Sequence, residues 1–174
     1  MTSIQDIAQL GNPVLRLIAG PISDIHAPAT IQLIKNLRAT LANTEGVGIA
    51  APQISESQRV VIIASRPNKR YPHAPAMSPT VMINPSFKPL SDNKAKDWEG
   101  CLSIPSIRAL VPRYTEIEIN YCDEQGNTQQ MILKDFVARI FQHEIDHLDG
   151  IVYLDRIEKT QDIVSESEYF TRYS

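Results

Sequence analysis

The stretch from Gln142 to His147 has the residue types and spacing of a metal-binding helix, H-E-x-x-H. Residues four apart on an α-helix lie on one face, about 6 Å apart along the axis, so His143 and His147 can bind one cation together. Glu144 would lie beside that cation, where its carboxylate can accept a proton from a bound water molecule. Because two histidines do not complete a metal site, the sequence must supply a third ligand.

The third ligand has three possible sources in this sequence. The pattern H-E-x-x-H-x-x-G-x-x-H continues through Gly150 but then has Tyr153 in place of its third histidine, which argues against that class of metallopeptidase. Glu166 and Glu168 carry suitable oxygens, but both lie in a polar tail, a poor place for a preorganised ligand. Cys101 is the remaining donor, and a Cys-His-His set suits Zn²⁺ or Fe²⁺ with one position open to water.

The patterns around these residues predict an α+β domain. Thr30 can cap a helix that extends to about Asn43. Apolar residues recur along it with helical spacing at Ile31, Ile34, Leu37 and Leu41. Asp135 can cap the metal-binding helix, which Gly150 would end. Strands are predicted over residues 59–64, 80–84, 115–121 and 128–133. We therefore expect antiparallel sheets packed around a central metal-binding helix, with a second helix near the N-terminus.

Composition and charge exclude several functions. The 174 residues, 43% hydrophobic and 21% charged, are expected to form a single domain over residues 1–174. A net charge of −3 provides no basic surface for nucleic acid or for a membrane. No apolar run approaches the roughly 18 residues of a transmembrane helix, and the first residues do not resemble a signal peptide. Two cysteines do not make a secreted disulfide framework, so we expect a cytoplasmic protein.

Two further segments allow more than one interpretation. Residues 45–53 combine Gly46 and Gly48 with two alanines, which indicates either a tight turn beneath a helix or a place where a ligand approaches the backbone. The segment lacks the third glycine of a dinucleotide fingerprint and the lysine of a phosphate-binding loop. Cys101 follows a predicted polar turn over residues 91–97. In the irregular segment expected there, it is either a small buried residue or a reactive or ligating thiolate.

Three segments, in this order, resemble the signature motifs of the peptide deformylase family. They are residues 46–53 (GVGIAAPQ), 99–103 (EGCLS) and 142–147 (QHEIDH). The opening run 11–16 (GNPVLR) and the run 108–113 (RALVPR) are also similar to that family, and the resemblance covers about residues 4–158. The motif positions show no departure from the family pattern.

The resemblance implies a metal-dependent hydrolase that removes the N-formyl group from the formylmethionine of newly made polypeptides and releases formate. The implied metal ligands are Cys101, His143 and His147, with water in the fourth position. Glu144 would accept a proton from that water and pass a proton to the departing amine. The side-chain amide of Gln53 and the backbone N–H of Leu102 would stabilise the oxyanion.

The resemblance also implies a pocket for the methionine side chain. The candidate substrate-binding residues are Val47, Gly48, Ile49, Glu99, Arg139 and Ile140. Arg139 lies where some relatives have an aliphatic residue, so its stem can line the pocket or its guanidinium can bind a peptide carbonyl. Asp146 is expected to pair with Arg113, and Glu99 is expected to pair with Arg108. These pairs would fix the metal-binding helix and the third-ligand segment relative to each other.

The ligand set accepts Fe²⁺, Zn²⁺, Ni²⁺ or Co²⁺, and the resemblance favours Fe²⁺. The expected partners are N-formylmethionyl nascent peptides near the ribosome exit, for a monomer that binds neither nucleic acid nor membrane. Two rival functions are a metallopeptidase that cleaves internal peptide bonds and a noncatalytic domain with a structural metal. The first would not release formate, and the second would need a fourth protein ligand that the motifs do not provide.

Overall fold

The computed structural model describes residues 3–173, which form two antiparallel sheets and three α-helices. The larger sheet comprises, in spatial order, β1 (Gly48–Ala50), β2 (Val60–Ile63), β3 (Thr80–Pro89), β6 (Glu116–Cys122) and β7 (Thr128–Lys134). The smaller sheet comprises β4 (Lys94–Cys101), β5 (Ile104–Tyr114) and β8 (Ile163–Ser165). The helices are α1 (Pro28–Ala42), α2 (Asp135–Leu148) and α3 (Glu166–Arg172). This architecture confirms the predicted α+β fold.

Helix α2 contacts β1 and β2 of the larger sheet and β5 of the smaller one, and is buried from Ala138 to Leu148. The predicted Asp135 cap is wrong, because the chain enters α2 directly from β7. Asp135 is the first helical residue, with φ 48°, and its N–H donates to the Thr115 carbonyl at 2.8 Å. The predicted stop at Gly150 is confirmed by its φ of 71° just after the helix. The metal-binding helix is therefore central, as expected.

Helix α1 begins three residues earlier than predicted, because its N-cap is Ala27 rather than Thr30. Pro28 is its first residue, where a fixed φ suits the first turn and no N–H is lost. Thr30 lies inside the helix, buried, and its hydroxyl donates to the Asp24 carbonyl at 2.8 Å rather than capping the helix. Of the predicted apolar stripe, Ile31 is 41% exposed. The other three members, Ile34, Leu37 and Leu41, are buried as predicted.

Strands β4 and β5 form a long hairpin that the sequence pattern did not predict. The expected polar turn over residues 91–97 is shorter, because β4 already begins at Lys94. The expected irregular segment around Cys101 is also wrong, since Cys101 is the last residue of β4 and is paired with Ile104. The first four residues of β4 are all exposed and three of them are charged, so they lack the alternation by which half-buried strands are recognised.

The buried apolar side chains form three clusters. One lies between α2 and the larger sheet and includes Phe141 and Ile119. The second includes Leu37 of α1 and Ile49 of β1. The third includes Cys101 and Val111 of the smaller sheet. Within the described residues, no helix has the length and apolar character needed to cross a membrane. The single domain over residues 1–174 stays a prediction, and residues 1, 2 and 174 lie outside the described residues.

Candidate active site

Three potential metal ligands meet where the end of β4 faces α2. Cys101 comes from β4, and His143 and His147 come from one face of α2. One donor atom from each residue lies within 4.8 Å of the others, and Cys101 Sγ is 3.2 Å from His147 Nε2. Burial opposes ionisation of the thiol, but His147 and His143 hold the pKa of Cys101 well below its ordinary value. A buried thiolate with two imidazoles is a chemically suitable set for one divalent metal ion.

Glu99 fixes the orientation of His143. The Nδ1 of His143 lies 2.9 Å from Oε2 of Glu99, so it donates to this carboxylate and leaves Nε2 as the ring nitrogen that can bind an ion. Burial favours the neutral acid, but Arg113 and His143 hold the pKa of Glu99 well below its usual range. Glu99 is therefore a buried anion that supports a ligand rather than a ligand itself.

Glu144 lies in the same buried region with one oxygen unpaired. Its Oε2 has no hydrogen-bond partner among the described residues, although Glu144 is only 4% exposed. Burial raises its pKa to about 7. Its Oε1 lies against Gly48 of β1, where a Cβ would be 2.5 Å away. A carboxylate in this setting can accept and return a proton near neutral pH.

Gln53 directs its amide nitrogen toward the ligand thiol. Its Oε1 accepts from the Ala50 N–H at 2.9 Å, which identifies Nε2 as the atom facing the site. That Nε2 lies 3.3 Å from Ser103 Oγ and 3.5 Å from Cys101 Sγ. Leu102 follows Cys101 in the sequence, and both line a cavity beside Gln53. The two predicted oxyanion donors thus lie beside the three potential ligands.

A cavity adjoins this group and contains five of the six predicted substrate-binding residues. They are Val47, Gly48, Glu99, Arg139 and Ile140. Ile49 is not among the residues that line the cavity, so the structure does not support its assignment to the pocket. Successive residues of a strand point to opposite faces, and Ile49 is fully buried in the second apolar cluster, which includes Leu37 of α1.

Tyr153 lies at the position where the longer motif would have its third histidine. Its ring stacks on that of His143 with centroids 5.8 Å apart and an interplanar angle of 24°. Its hydroxyl donates to the Ile107 carbonyl of β5 at 3.0 Å. Tyr153 therefore packs on a ligand and is directed toward the smaller sheet.

The match to known proteins agrees with this geometry. The family model described as polypeptide deformylase matches residues 4–162. The chain belongs to the polypeptide deformylase family. Peptide deformylase 2 of Nostoc sp. is 55% identical to it over 163 residues, covering 94% of this chain and 91% of that protein.

Solved structures of deformylases share the fold. A Met-Ala-Ser-bound class I type b peptide deformylase from Acinetobacter baumannii has a TM-score of 0.87 and 42% identity, covering 90% of this chain and 100% of that one. Peptide deformylase from Thermotoga maritima has a TM-score of 0.79 and 30% identity, covering 90% of this chain and 99% of that one.

Four further large side chains line the cavity of this deformylase, and the sequence did not assign them to the site. They are Arg70, Tyr71, Trp98 and Phe136. Phe136 lies seven residues before His143 on the same helical face, so its spacing was an available signal. Arg70 and Tyr71 come from the proline-rich loop between β2 and β3, whose position depends on tertiary packing and has no periodic signature.

One of the two predicted ion pairs is confirmed. Arg113 Nη1 lies 2.5 Å from Asp146 Oδ2, and both side chains are buried. The predicted pair of Glu99 with Arg108 is wrong. Arg113 binds Glu99 through two nitrogens at 2.9 and 3.0 Å, so it joins β4, β5 and α2. Arg108 instead lies 3.1 Å from Glu166.

Arg139 also belongs to this deformylase's buried network. Its guanidinium donates to Glu99 at 2.8 Å, to the Val111 carbonyl at 2.7 Å and to the Ala95 carbonyl at 2.7 Å. Because the guanidinium already donates to these three acceptors, the structure does not support the prediction that it binds a peptide carbonyl. The alternative, in which the stem lines the pocket, agrees with its place in the cavity wall.

Proposed function

We propose that this chain carries out its family's reaction with one divalent metal ion held by Cys101, His143 and His147. As a member of the polypeptide deformylase family, it is a hydrolase that removes the N-formyl group from newly made polypeptides. The observation that carries the ligand assignment is the convergence of the three donors within 4.8 Å in a buried site. A divalent ion there supplies Lewis acidity, which lowers the pKa of water and polarises the formyl carbonyl.

Glu144 is proposed as the general base and acid. Its unpaired Oε2 and raised pKa suit a group that accepts a proton from the attacking water and donates a proton to the departing amine. Its burial also limits competition from bulk water for that proton. The absence of a fourth donor in the ligand group of the described residues argues against a closed structural metal site.

Gln53 and Leu102 are proposed as oxyanion donors. Gln53 is held by Ala50 with its Nε2 toward Cys101, so its donor is oriented before substrate arrives. Leu102 would contribute its backbone N–H from the turn between β4 and β5. The methionine side chain would enter the cavity beside Val47 and Ile140.

Several finer features are proposed by family resemblance. Fe²⁺ is the proposed ion, with oxidation of Cys101 as a liability that air exposure would reveal. The proposed setting is the cytoplasm, where a monomeric single-domain enzyme acts on formylmethionyl chains near the ribosome exit. Metal analysis of protein purified without oxygen and light scattering test the ion and the monomeric state.

The decisive experiment is formate release from a formyl-Met peptide, measured with metal content in the same oxygen-free sample. Glu144→Gln should retain stoichiometric metal and lose at least about 100-fold in kcat. Glu116→Gln is the matched control, because Glu116 pairs with Lys134 at the surface. Near-normal kcat in Glu144→Gln would refute Glu144 as the base. Cleavage of internal peptide bonds without formate release would refute the deformylase reaction.

A further inference from the structure

Arg139 forms part of the partition between the active-site cavity and a second cavity. The active-site cavity is small, about 40 Å³. The second has about 310 Å³ and is also lined by Lys96, Asp97 and Asp135, which are exposed. Both cavities are lined by Arg139 and Phe136. We propose that Arg139 sets the maximum length of the first side chain of the substrate by closing the inner end of its pocket.

The contacts of Arg139 make it a fixed wall. The residue is 6% exposed, and its guanidinium is held by Glu99 and by the carbonyls of Ala95 and Val111 at 2.7–2.8 Å. Ala95 and Val111 lie on the neighbouring strands β4 and β5. The head is thus anchored across the hairpin, and the aliphatic stem is left as the surface that a substrate side chain can touch.

Removal of this side chain should join the two cavities. The active-site cavity has room for only a few water molecules, whereas the adjacent cleft has several times that volume and exposed residues in its lining. A long side chain that Arg139 stops in the wild type could then extend into the cleft. This specificity role rests on the proposed function, because it places the methionine side chain of the substrate in this cavity.

The test compares formyl peptides whose first residue is methionine with formyl peptides carrying a straight-chain residue three methylenes longer. In Arg139→Ala, the ratio of kcat/KM for the long substrate to that for the methionine substrate should rise at least about 10-fold over the wild type. Phe136→Ala opens the same partition and should raise the ratio in the same direction. Ile140→Ala is the matched control, because Ile140 lines only the active-site cavity, and its ratio should rise by less.

A binding measurement gives a readout independent of turnover. Trp98, the single tryptophan of the chain, lines the active-site cavity, so its fluorescence can follow binding of the corresponding unformylated peptides. The long peptide should gain affinity relative to the methionine peptide in Arg139→Ala, again by about 10-fold. If Arg139→Ala does not fold, Phe136→Ala replaces it, because Phe136 also lines both cavities.

Unchanged ratios in folded, metal-containing Arg139→Ala and Phe136→Ala would overturn the proposal. An equal rise in Ile140→Ala would also overturn it, because the effect would then reflect general loosening of the pocket. These outcomes are distinct from failure of the proposed function, in which the wild type itself would release no formate from the methionine substrate.

Discussion

The carboxylate of Glu144 lies directly against the backbone of Gly48. A Cβ at residue 48 would be 2.5 Å from Oε1 of Glu144 and 3.0 Å from its Cδ. Gly48 does not have a positive φ, so its backbone conformation alone does not require glycine. Instead, the buried Glu144 side chain fills the space that a Cβ at residue 48 would need. The glycine therefore determines where the proposed catalytic carboxylate can lie.

Replacement of Gly48 by alanine should displace Glu144 and reduce kcat by about 100-fold, the scale expected for a shift of about 1 Å in a catalytic group. Metal content should remain stoichiometric, because the added methyl meets Glu144 rather than a ligand. Formate release and metal analysis on one sample measure both. Gly20→Ala is the control, since a Cβ there would be 3.8 Å from the Ser57 carbonyl oxygen, an ordinary contact. Wild-type kcat in Gly48→Ala would contradict the prediction.

Gln53→Ala should lower kcat by about 100- to 1,000-fold and change KM little, because an oxyanion donor acts mainly in the transition state. Steady-state kinetics of formate release separates the two parameters. Gln129→Ala removes a glutamine that donates to Asp123 at the surface and should leave both unchanged. A rise in KM at constant kcat would assign Gln53 to substrate binding instead.

Arg113→Met should destabilise the metal-free protein by about 3 kcal/mol, because it removes the cation between two buried carboxylates. This loss of stability is at the lower end of the range for breaking a buried ion pair, because Arg139 still contacts Glu99 and Arg156 still contacts Asp146. Urea unfolding measures the change. The exposed pair of Arg16 with Asp155 provides the comparison, and Arg16→Met should cost less than about 1 kcal/mol. Similar losses of stability in both variants would contradict the prediction that the buried ion pairs stabilise the fold more than the exposed pair does.

The stabilising effect of Asp155 should depend on pH. Burial favours the neutral acid, but hydrogen bonds from Arg16 and from the Val152 N–H lower its pKa below the ordinary 3.8. Because the folded pKa is below the unfolded one, this stabilisation is present above about pH 4 and is lost as the pH falls through the folded pKa. Asp155→Asn should therefore be less stable than the wild type at pH 7, and the difference should narrow below about pH 4. Urea unfolding of both proteins at pH 7 and at a pH below about 4 tests this prediction. The same difference in the free energy of unfolding at both pH values would contradict it.

Local spacing was sufficient to predict the metal-binding helix but not the partners of Arg108. The two histidines and Glu144 lie on one helix, so their relative positions follow from helical geometry. Arg108 is paired with Val164 in the β5–β8 register, which brings Glu166 of the C-terminal segment to it. Such a contact depends on strand pairing between segments far apart in sequence, which leaves no periodic pattern. The tail beyond Tyr153 is polar and amphipathic, which is consistent with the short helix α3, but it contains no signal for this contact.

Proline and exposed polar residues made the ends of some strands difficult to predict from the sequence. Strand β3 continues past the predicted Asn84 through Pro85, at a register shift between Ile83 and Ser86. A bulge leaves a residue unpaired, so proline can be accommodated without the loss of a ladder hydrogen bond. A pattern search that treats proline as a terminator therefore ends β3 too early.

The stacking of Tyr153 on His143 limits how this ligand set could change during evolution. An imidazole binds a metal ion in the plane of its ring, whereas Tyr153 covers the ring face and is anchored to β5 through Ile107. A histidine introduced at residue 153 would therefore lie against the face of His143 rather than opposite its donor nitrogen. One substitution restores the sequence motif of the other metallopeptidase class but not its coordination. Conversion of this Cys-His-His site into a three-histidine site would also require a different backbone path after α2. The two kinds of site therefore differ in backbone structure as well as in one residue.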